Sequence, residues 1–179
     1  ASATDGNATG IQSSLRDLGD KTDNATGGAN ILEGETISVS AASESGKANG
    51  DVSGKAGETI LKAGEIAISA KSGGNAANGI YAYDKGRVAL EGSDIQVTAE
   101  SNGTANAVES WMNGIIEING VKDSDNSFLF EATGKNAYGI SSSDAGAGQG
   151  ASEAGITITG GDKSDTVTIR ATGNGTGER

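Results

Sequence analysis

The residues of this chain that could do chemistry are carboxylates, hydroxyls, amides and a few aromatic rings, because the sequence contains no histidine and no cysteine. Without those two residue types, neither a Ser-His-Asp nor a Cys-His nucleophilic arrangement can be assembled within the chain. The usual zinc and haem ligand sets also depend on them. We therefore predict that the chain is not an enzyme and that it needs no cofactor.

Carboxylates are the remaining route to catalysis, since a pair of them can serve a carbohydrate hydrolase or lyase. Glu91 and Glu117 fall diagonally on neighbouring units of the repeat described below, and Arg87 is nearby. A solvated charged surface explains these three residues better. A carbohydrate-active enzyme is kept as a second alternative.

Three acidic segments, at residues 19–24, 121–126 and 161–166, gather Asp and Asn oxygens that could coordinate calcium. Each segment also contains a lysine, and neither an EF-hand loop nor the Gly-Gly-x-Gly-x-Asp nonapeptide occurs. Asp and Asn turns, in which the side chain bonds to nearby backbone, are the favoured interpretation. We therefore predict no metal site and keep as weak candidates Asp123, Asp125, Asp162 and Asp165.

The composition argues against several classes of partner. A net charge of −11 and a pI near 4.3 disfavour binding to nucleic acid or to anionic membranes, because both depend on clustered Lys and Arg. No apolar run approaches the ~18 residues of a membrane span, so this segment is not expected to insert into a membrane. The chain begins at Ala1 without a leader, so any export signal is expected to have been removed.

A repeated phrase organises the chain, which has 30 glycines and no proline among 179 residues. The phrase is an alternating strand that ends in Ala, and successive copies start 29, 29, 33 and 39 positions apart. The five copies are Ile37–Ala41, Ile66–Ala70, Ile95–Ala99, Phe128–Ala132 and Val167–Ala171.

Two further phrases keep phase with the first, so each unit has three strands and three corners. One is a short strand, aligned as Gly10-Ile11-Gln12, Asp51-Val52-Ser53, Gly79-Ile80-Tyr81, Ala107-Val108-Glu109 and Gly139-Ile140-Ser141. The other closes on Gly, at residues 31–34, 60–64, 88–92, 116–120 and 156–160. Lys62 falls where other units have Leu90, Ile118 and Ile158. Residues 47–64 are therefore either irregular or misaligned by one position.

A unit of this kind cannot bury its apolar face alone, but it can do so by stacking on its neighbours. We predict an all-β fold, a right-handed parallel β-helix with three strands per turn and about five turns. The chain is expected to form one segment over 1–179, with loop insertions near 13–30 and 143–155. Asn49, Asn78 and Asn106 share one corner, either as an amide ladder or as independent left-handed turn residues.

Strand alternation also predicts an exposed aromatic surface. If Ile80 and Val108 point inward, then Tyr81, Tyr83 and Trp111 point outward. Tyr83 and Trp111 would occupy the same position in adjacent turns, where their rings could stack as a platform for a sugar or an apolar partner. The alternative is that the long loop of a neighbouring turn covers Trp111. These three aromatic residues are the predicted ligand-binding site.

The unit over residues 78–99 resembles the β-helical passenger domains of bacterial autotransporters, the type V secreted surface proteins. The likeness is one of repeat style over almost the whole chain, and the family's usual lack of cysteine matches the sequence. It implies display at the bacterial cell surface, or secretion, and a role as an adhesin. The expected partners are a host or bacterial surface glycan or protein, or another copy of the chain. The membrane-anchoring β-barrel, signal peptide and protease module of such proteins are not recognised in this sequence, so we expect the chain to be an excised or processed piece of a longer protein. An extracellular filament built from β-helices joined end to end is the first alternative.

Overall fold

The computed structural model describes residues 1–14, 28–143, 155–161 and 164–175, and within them every regular element is a β-strand. None of these residues forms a helix long and apolar enough to cross a membrane. The strands are β1 (Ser2–Ala3), β2 (Ala8–Ser14), β3 (Ala29–Ser43), β4 (Ala48–Gly54), β5 (Glu58–Ser72), β6 (Ala76–Tyr83), β7 (Arg87–Glu91), β8 (Asp94–Ser101), β9 (Thr104–Trp111), β10 (Ile115–Asn119), β11 (Ser127–Gly134), β12 (Asn136–Ser143), β13 (Gly155–Thr159) and β14 (Thr166–Gly173).

The strands stack in parallel as a β-solenoid, which confirms the predicted fold class. Sheet B has the order β12-β9-β6-β4-β2. Sheet A covers two faces, because β5 pairs with β7 through residues 58–62 and with β8 through residues 65–72. We number the coils 1 to 5 by their described residues, at 8–14 with 28–43, 48–72, 76–101, 104–134, and 136–143 with 155–161 and 164–173. The five strands of sheet B are joined by four turns of the chain, slightly fewer than the five turns predicted.

The predicted core columns are confirmed in register. Ile37, Ile66, Ile95, Phe128 and Val167 align across the coils, as do Val39, Ile68, Val97, Phe130 and Ile169 and the alanines at 41, 70, 99, 132 and 171. Their members in coils 1 to 4 are buried. Val167 and Ile169 in coil 5 are exposed, because no further described coil stacks on them.

Of the two alternatives for residues 47–64, misalignment by one position is confirmed in coil 2. Leu61, not Lys62, pairs with Leu90 and faces the interior, while Lys62 points outward and forms an ion pair with Glu91. In β4 it is Asp51, not Val52, that pairs with Ile80. The alignment placed the apolar residues Val52 and Ile60 at core positions that Asp51 and Thr59 occupy, and this forced Lys62 into the column of Leu90.

A recurring tight turn joins sheet B to sheet A in coils 2, 3 and 4. Its two central residues have positive φ, and the glycine that follows donates to a carbonyl three residues earlier, as in Gly86 N to Tyr83 O at 2.9 Å. The central pairs are Lys55-Ala56, Asp84-Lys85 and Met112-Asn113. A Cβ on Gly86 would collide with the backbone of Ser53 in the coil below, so this corner requires glycine.

The bulk of both predicted insertions lies outside the described residues, at 15–27 and 144–154. The described edges of the two ranges belong to strands: residues 13–14 end β2, residues 29–30 begin β3, Ser143 ends β12 and Gly155 begins β13. The right-handed coiling and the single-segment organisation stay predictions.

Candidate functional site

The predicted aromatic residues lie on the outer surface of sheet B. Tyr83 of β6 pairs in register with Trp111 of β9, which confirms that they occupy the same position in adjacent coils. Tyr81 pairs with Glu109 in the same way. Trp111 is 37% exposed, and the two tyrosines are half-buried. The structure therefore brings the three predicted residues together on one face, and their ligand-binding role stays a prediction.

The ring contact differs from the predicted one. The rings of Tyr81 and Tyr83, two residues apart on one strand, stack on each other with centroids 5.1 Å apart and planes inclined by 16°. Side chains at alternate positions of a strand point to the same face, which allows this contact. The platform is thus a tyrosine pair within coil 3, with Trp111 in the next coil beside it.

The tyrosine pair rests on coil 2. Val52 pairs with Tyr81 and is buried although it points outward, and Gly54 pairs with Tyr83. A Cβ on Gly54 would collide with the Tyr83 ring, so the ring lies directly over the glycine backbone. Small residues in coil 2 therefore form the floor that holds the two rings.

Glu109 adds a carboxylate to the aromatic surface. It is half-buried, and its Oε2 accepts a hydrogen bond from Asn106 Nδ2 at 2.9 Å. Burial raises the pKa of Glu109, against smaller effects of Asn106 and of the more distant Lys47, which lower it. The pKa of Tyr81 rises to about 12 through burial, with the charge of Glu109 and the neighbouring Tyr83 adding to the effect.

The predicted amide ladder is confirmed. Asn78 Nδ2 donates to Asn49 Oδ1 at 3.0 Å, and Asn106 Nδ2 donates to Asn78 Oδ1 at 3.0 Å. None of the three has positive φ, and all lie within strands, so the alternative of independent left-handed turn residues is wrong. Because Asn106 also bonds Glu109, the ladder fixes the position of this carboxylate.

Tyr138 is a member of this surface that the sequence analysis missed. It lies in β12, pairs in register with Asn106 and is 49% exposed. The spacing in the sequence could have predicted this pairing. Tyr138 precedes Ile140 by two positions, just as Asn106 precedes Val108. All three tyrosines and the single tryptophan thus lie on sheet B, whereas both phenylalanines are buried in the core.

The alternative that a loop covers Trp111 falls on residues 144–154, which lie outside the described residues. At the described edge of that loop, Met112 N donates to Ser143 O at 3.3 Å. This bond ties the corner after Trp111 to the end of β12.

The weak metal candidates Asp123, Asp125 and Asp165 lie at a corner of sheet A. Asp165 Oδ1 accepts hydrogen bonds from Asn126 N at 3.1 Å and Asn126 Nδ2 at 2.7 Å, and Asp123 has positive φ. The bonds to Asp165 join two coils, whereas Asn126 Nδ2 also donates to Val121 O and Ser124 O, which are turn contacts of the favoured kind. Asp162 lies outside the described residues. Over the described ranges, no group of three or more acidic side chains is placed to hold a metal ion.

The carboxylates weighed for catalysis are engaged in ion pairs between coils. Arg87 bonds both Glu58 of the coil below and Glu117 of the coil above, and Glu91 pairs with Lys62 at 3.4 Å. Hydrogen bonding to both carboxylates raises the pKa of Arg87, although burial opposes this. Glu91 and Glu117 do lie diagonally on neighbouring strands, as predicted.

The interior of coil 2 holds a carboxyl group that the sequence analysis did not place there. Asp51 is 0% exposed and occupies the inward column of Ile11, Ile80 and Val108. Its facing neighbour Thr59 is also fully buried. Neither carboxyl oxygen of Asp51 nor the Thr59 hydroxyl completes a hydrogen bond of normal geometry. Burial raises the pKa of Asp51 to about 7, and the nearby Thr59 hydroxyl lowers it by less.

Comparison of the chain with protein-family models finds no match, and comparisons with curated proteins and with solved structures find none.

Proposed function

We propose that this chain is a non-catalytic segment of a bacterial surface or secreted protein, of the autotransporter passenger kind, that mediates attachment or cell–cell association. In this proposal the outer surface of sheet B is the contact face. The observation that carries it is the sorting of aromatic residues: every Tyr and Trp lies on that surface, while both Phe lie in the core.

This sorting supports a binding role because the exposed parts of the rings contribute little to folding. A partner that covers them would gain from their burial, and Tyr and Trp are the residues that most often dominate binding energy. The rigidity of the support matters as well. The tyrosine pair stands on Val52 and Gly54 and is fixed by its own stacking, so little side-chain freedom is lost on binding.

A non-catalytic role is favoured by the state of the candidate carboxylates. Arg87 holds Glu58 and Glu117 in ion pairs, and the sequence has no histidine or cysteine to take a proton or form a covalent intermediate. The charged groups on this face of sheet A thus serve to join successive coils.

The test compares the parent chain with Tyr83→Ala combined with Trp111→Ala in attachment to cells, to immobilised matrix proteins and to glycans. The double variant should melt at nearly the parent temperature and bind roughly tenfold more weakly, since aromatic contacts contribute about 0.5 to 1.5 kcal/mol each beyond area burial. Ile31→Ala is the matched control, because it removes an exposed apolar side chain from sheet A. Equal binding by the double variant would refute the proposed contact face.

A filament subunit is the second candidate, and the apolar side chains at the two ends favour it. Leu32, Val167 and Ile169 belong to inward columns but are exposed on the first and last coils, where a second copy could stack. Electron microscopy of the isolated chain separates the two functions: discrete short rods support the adhesin, and long fibres support the filament.

A further inference from the structure

We infer that the aromatic surface binds a lysine side chain of a basic protein partner, with the ammonium group held between Glu109 and the neighbouring rings. The inference rests on the proposed function and names the chemistry of the partner. Three features of the surface carry it: a carboxylate without an ion pair, aromatic faces beside it, and the acidic charge of the whole chain.

Glu109 differs from the ion-paired carboxylates of coils 2 to 4. Those carboxylates face a cation in the adjacent coil, and they are Glu58 and Glu117 with Arg87, Glu91 with Lys62, and Glu100 with Lys71. The register places Glu109 between Tyr81 below and Ser141 above, so no cation of an adjacent coil faces it. Lys47 acts on it electrostatically but does not approach within ion-pair distance.

The groups around Glu109 suit an ammonium ion. Aromatic faces attract cations, most strongly when water is partly excluded, and a carboxylate accepts a charge-assisted hydrogen bond from an ammonium group. Asn106 engages Oε2 of Glu109, which leaves Oε1 as the acceptor for a ligand N–H. Trp111 lies two residues after Glu109 on the same strand and face, where it offers a partly exposed ring next to this carboxylate.

The charge of the chain favours a basic partner. A net charge of −11 raises the local concentration of cationic surfaces and speeds their association. A lysine fits better than a quaternary ammonium group, because only the primary ammonium can donate a hydrogen bond to Glu109. A lysine-bearing protein surface is therefore the occupant to which these residues point.

The experiment titrates the intact chain with a short lysine peptide, acetyl-Gly-Lys-Gly-Lys-Gly-amide, and follows the fluorescence of Trp111 and the ring resonances of the tyrosines. The matched probe is the same peptide with both lysines Nε-acetylated, which keeps the length and removes the charge. The lysine peptide should bind, and the acetylated peptide should bind about tenfold more weakly. Glu109→Gln should weaken binding of the lysine peptide about tenfold, whereas Glu100→Gln, on sheet A, should not.

The pH dependence supplies a second readout. A cation binds the ionised form of Glu109, so binding should weaken as the pH falls and this carboxyl takes up a proton. The Glu109→Gln variant should lose this dependence. Equal binding of the acetylated peptide, equal loss in the Glu100→Gln variant, or tighter binding of a trimethyl-lysine peptide would each overturn the inference.

Failure of this inference is distinguishable from failure of the proposed function. If Tyr83→Ala with Trp111→Ala weakens attachment while the lysine peptide does not bind, the contact face stands and its lysine chemistry is wrong. If the peptide binds but the double variant attaches as well as the parent, the site exists and attachment uses another face.

Discussion

Replacing Asp51 by Asn should remove a pH-dependent loss of stability from the solenoid. The Asp51 carboxyl is fully buried in an apolar column, and burial raises its pKa from 3.8 to about 7. Among the described residues it is the one buried side chain that ionises. The ionisable side chains of the strands packed around β4, such as Glu58, Lys62 and Arg87, point outward, and none contributes to the change in its pKa.

The sign follows from comparing the folded and unfolded chains. Below pH 3.8 the carboxyl is protonated in both states, so Asp51 causes no pH-dependent loss. Between pH 3.8 and about 7 the unfolded chain releases the proton and the folded chain keeps it, so the free energy of unfolding falls as the pH rises. Above about pH 7 both states are ionised and the loss becomes constant.

The magnitude follows from about 1.4 kcal/mol for each pH unit between the two pKa values. The full loss is therefore about 4 kcal/mol, a large share of the roughly 5 to 15 kcal/mol of a typical domain. Asparagine has the same shape as the protonated carboxyl and does not ionise. The gap in stability between Asp51→Asn and the parent should widen by about 4 kcal/mol between pH 4 and pH 8.

The assay is urea denaturation of both proteins across that pH range, followed by far-UV circular dichroism and by the fluorescence of the single tryptophan. The difference in the free energy of unfolding between the two proteins is unaffected by groups that titrate in both of them, including Glu109. Asp84→Asn, a change of an exposed carboxylate in a turn, controls for the loss of one negative charge. A difference in the free energy of unfolding between Asp51→Asn and the parent that stays constant from pH 4 to pH 8 would refute the raised pKa of the buried carboxyl.

Three further predictions concern the core, the ladder and the acidic corner. Ile68→Asp should unfold the rod cooperatively, because an unpaired buried charge costs several kcal/mol, and an unchanged melting temperature would contradict its inward position. Asn78→Ala should cost about 1 to 3 kcal/mol in urea denaturation, more than Asn49→Ala, because Asn78 makes two ladder bonds and Asn49 one. Saturating calcium should leave the melting temperature unchanged if Asp165 only bonds Asn126; an EDTA-reversible rise of several degrees would contradict this.

The Ala-ending strands were predictable because their inward positions are apolar in every coil. The alternation in Ile66–Ala70 and Ile95–Ala99 has one interpretation, and the constant spacing fixes the register between them. The same reasoning predicted the outward positions of Tyr81 and Tyr83. It did not predict that their rings stack, because the strand register fixes the position of each Cβ atom but not which neighbouring ring a side chain contacts.

Coil 2 could not be aligned from hydrophobicity, because there the apolar residue Val52 points outward and the acidic residue Asp51 points inward. A different signal was present in the corner glycines. Gly57, Gly86 and Gly114 each follow the inward residue of the preceding strand by six positions, at Asp51, Ile80 and Val108. Aligning the units on these glycines gives the observed register, since the backbone contact at this corner excludes any side chain.

Strand β4 of coil 2 has an acidic residue on its inner side and supports the proposed binding face on its outer side. In a solenoid each coil is stabilised mainly by its two neighbours, so the cost of an ionised Asp51 falls first on coil 2 and on its contacts with coils 1 and 3. The outward side of the same strand carries Val52 and Gly54, on which the rings of Tyr81 and Tyr83 rest. A charge that disturbs β4 from the inside would therefore disturb the floor of the aromatic surface, whereas the ring of Trp111, in β9, lies one coil farther away. The pH-dependent loss of stability is thus expected directly beneath the residues proposed to bind the partner.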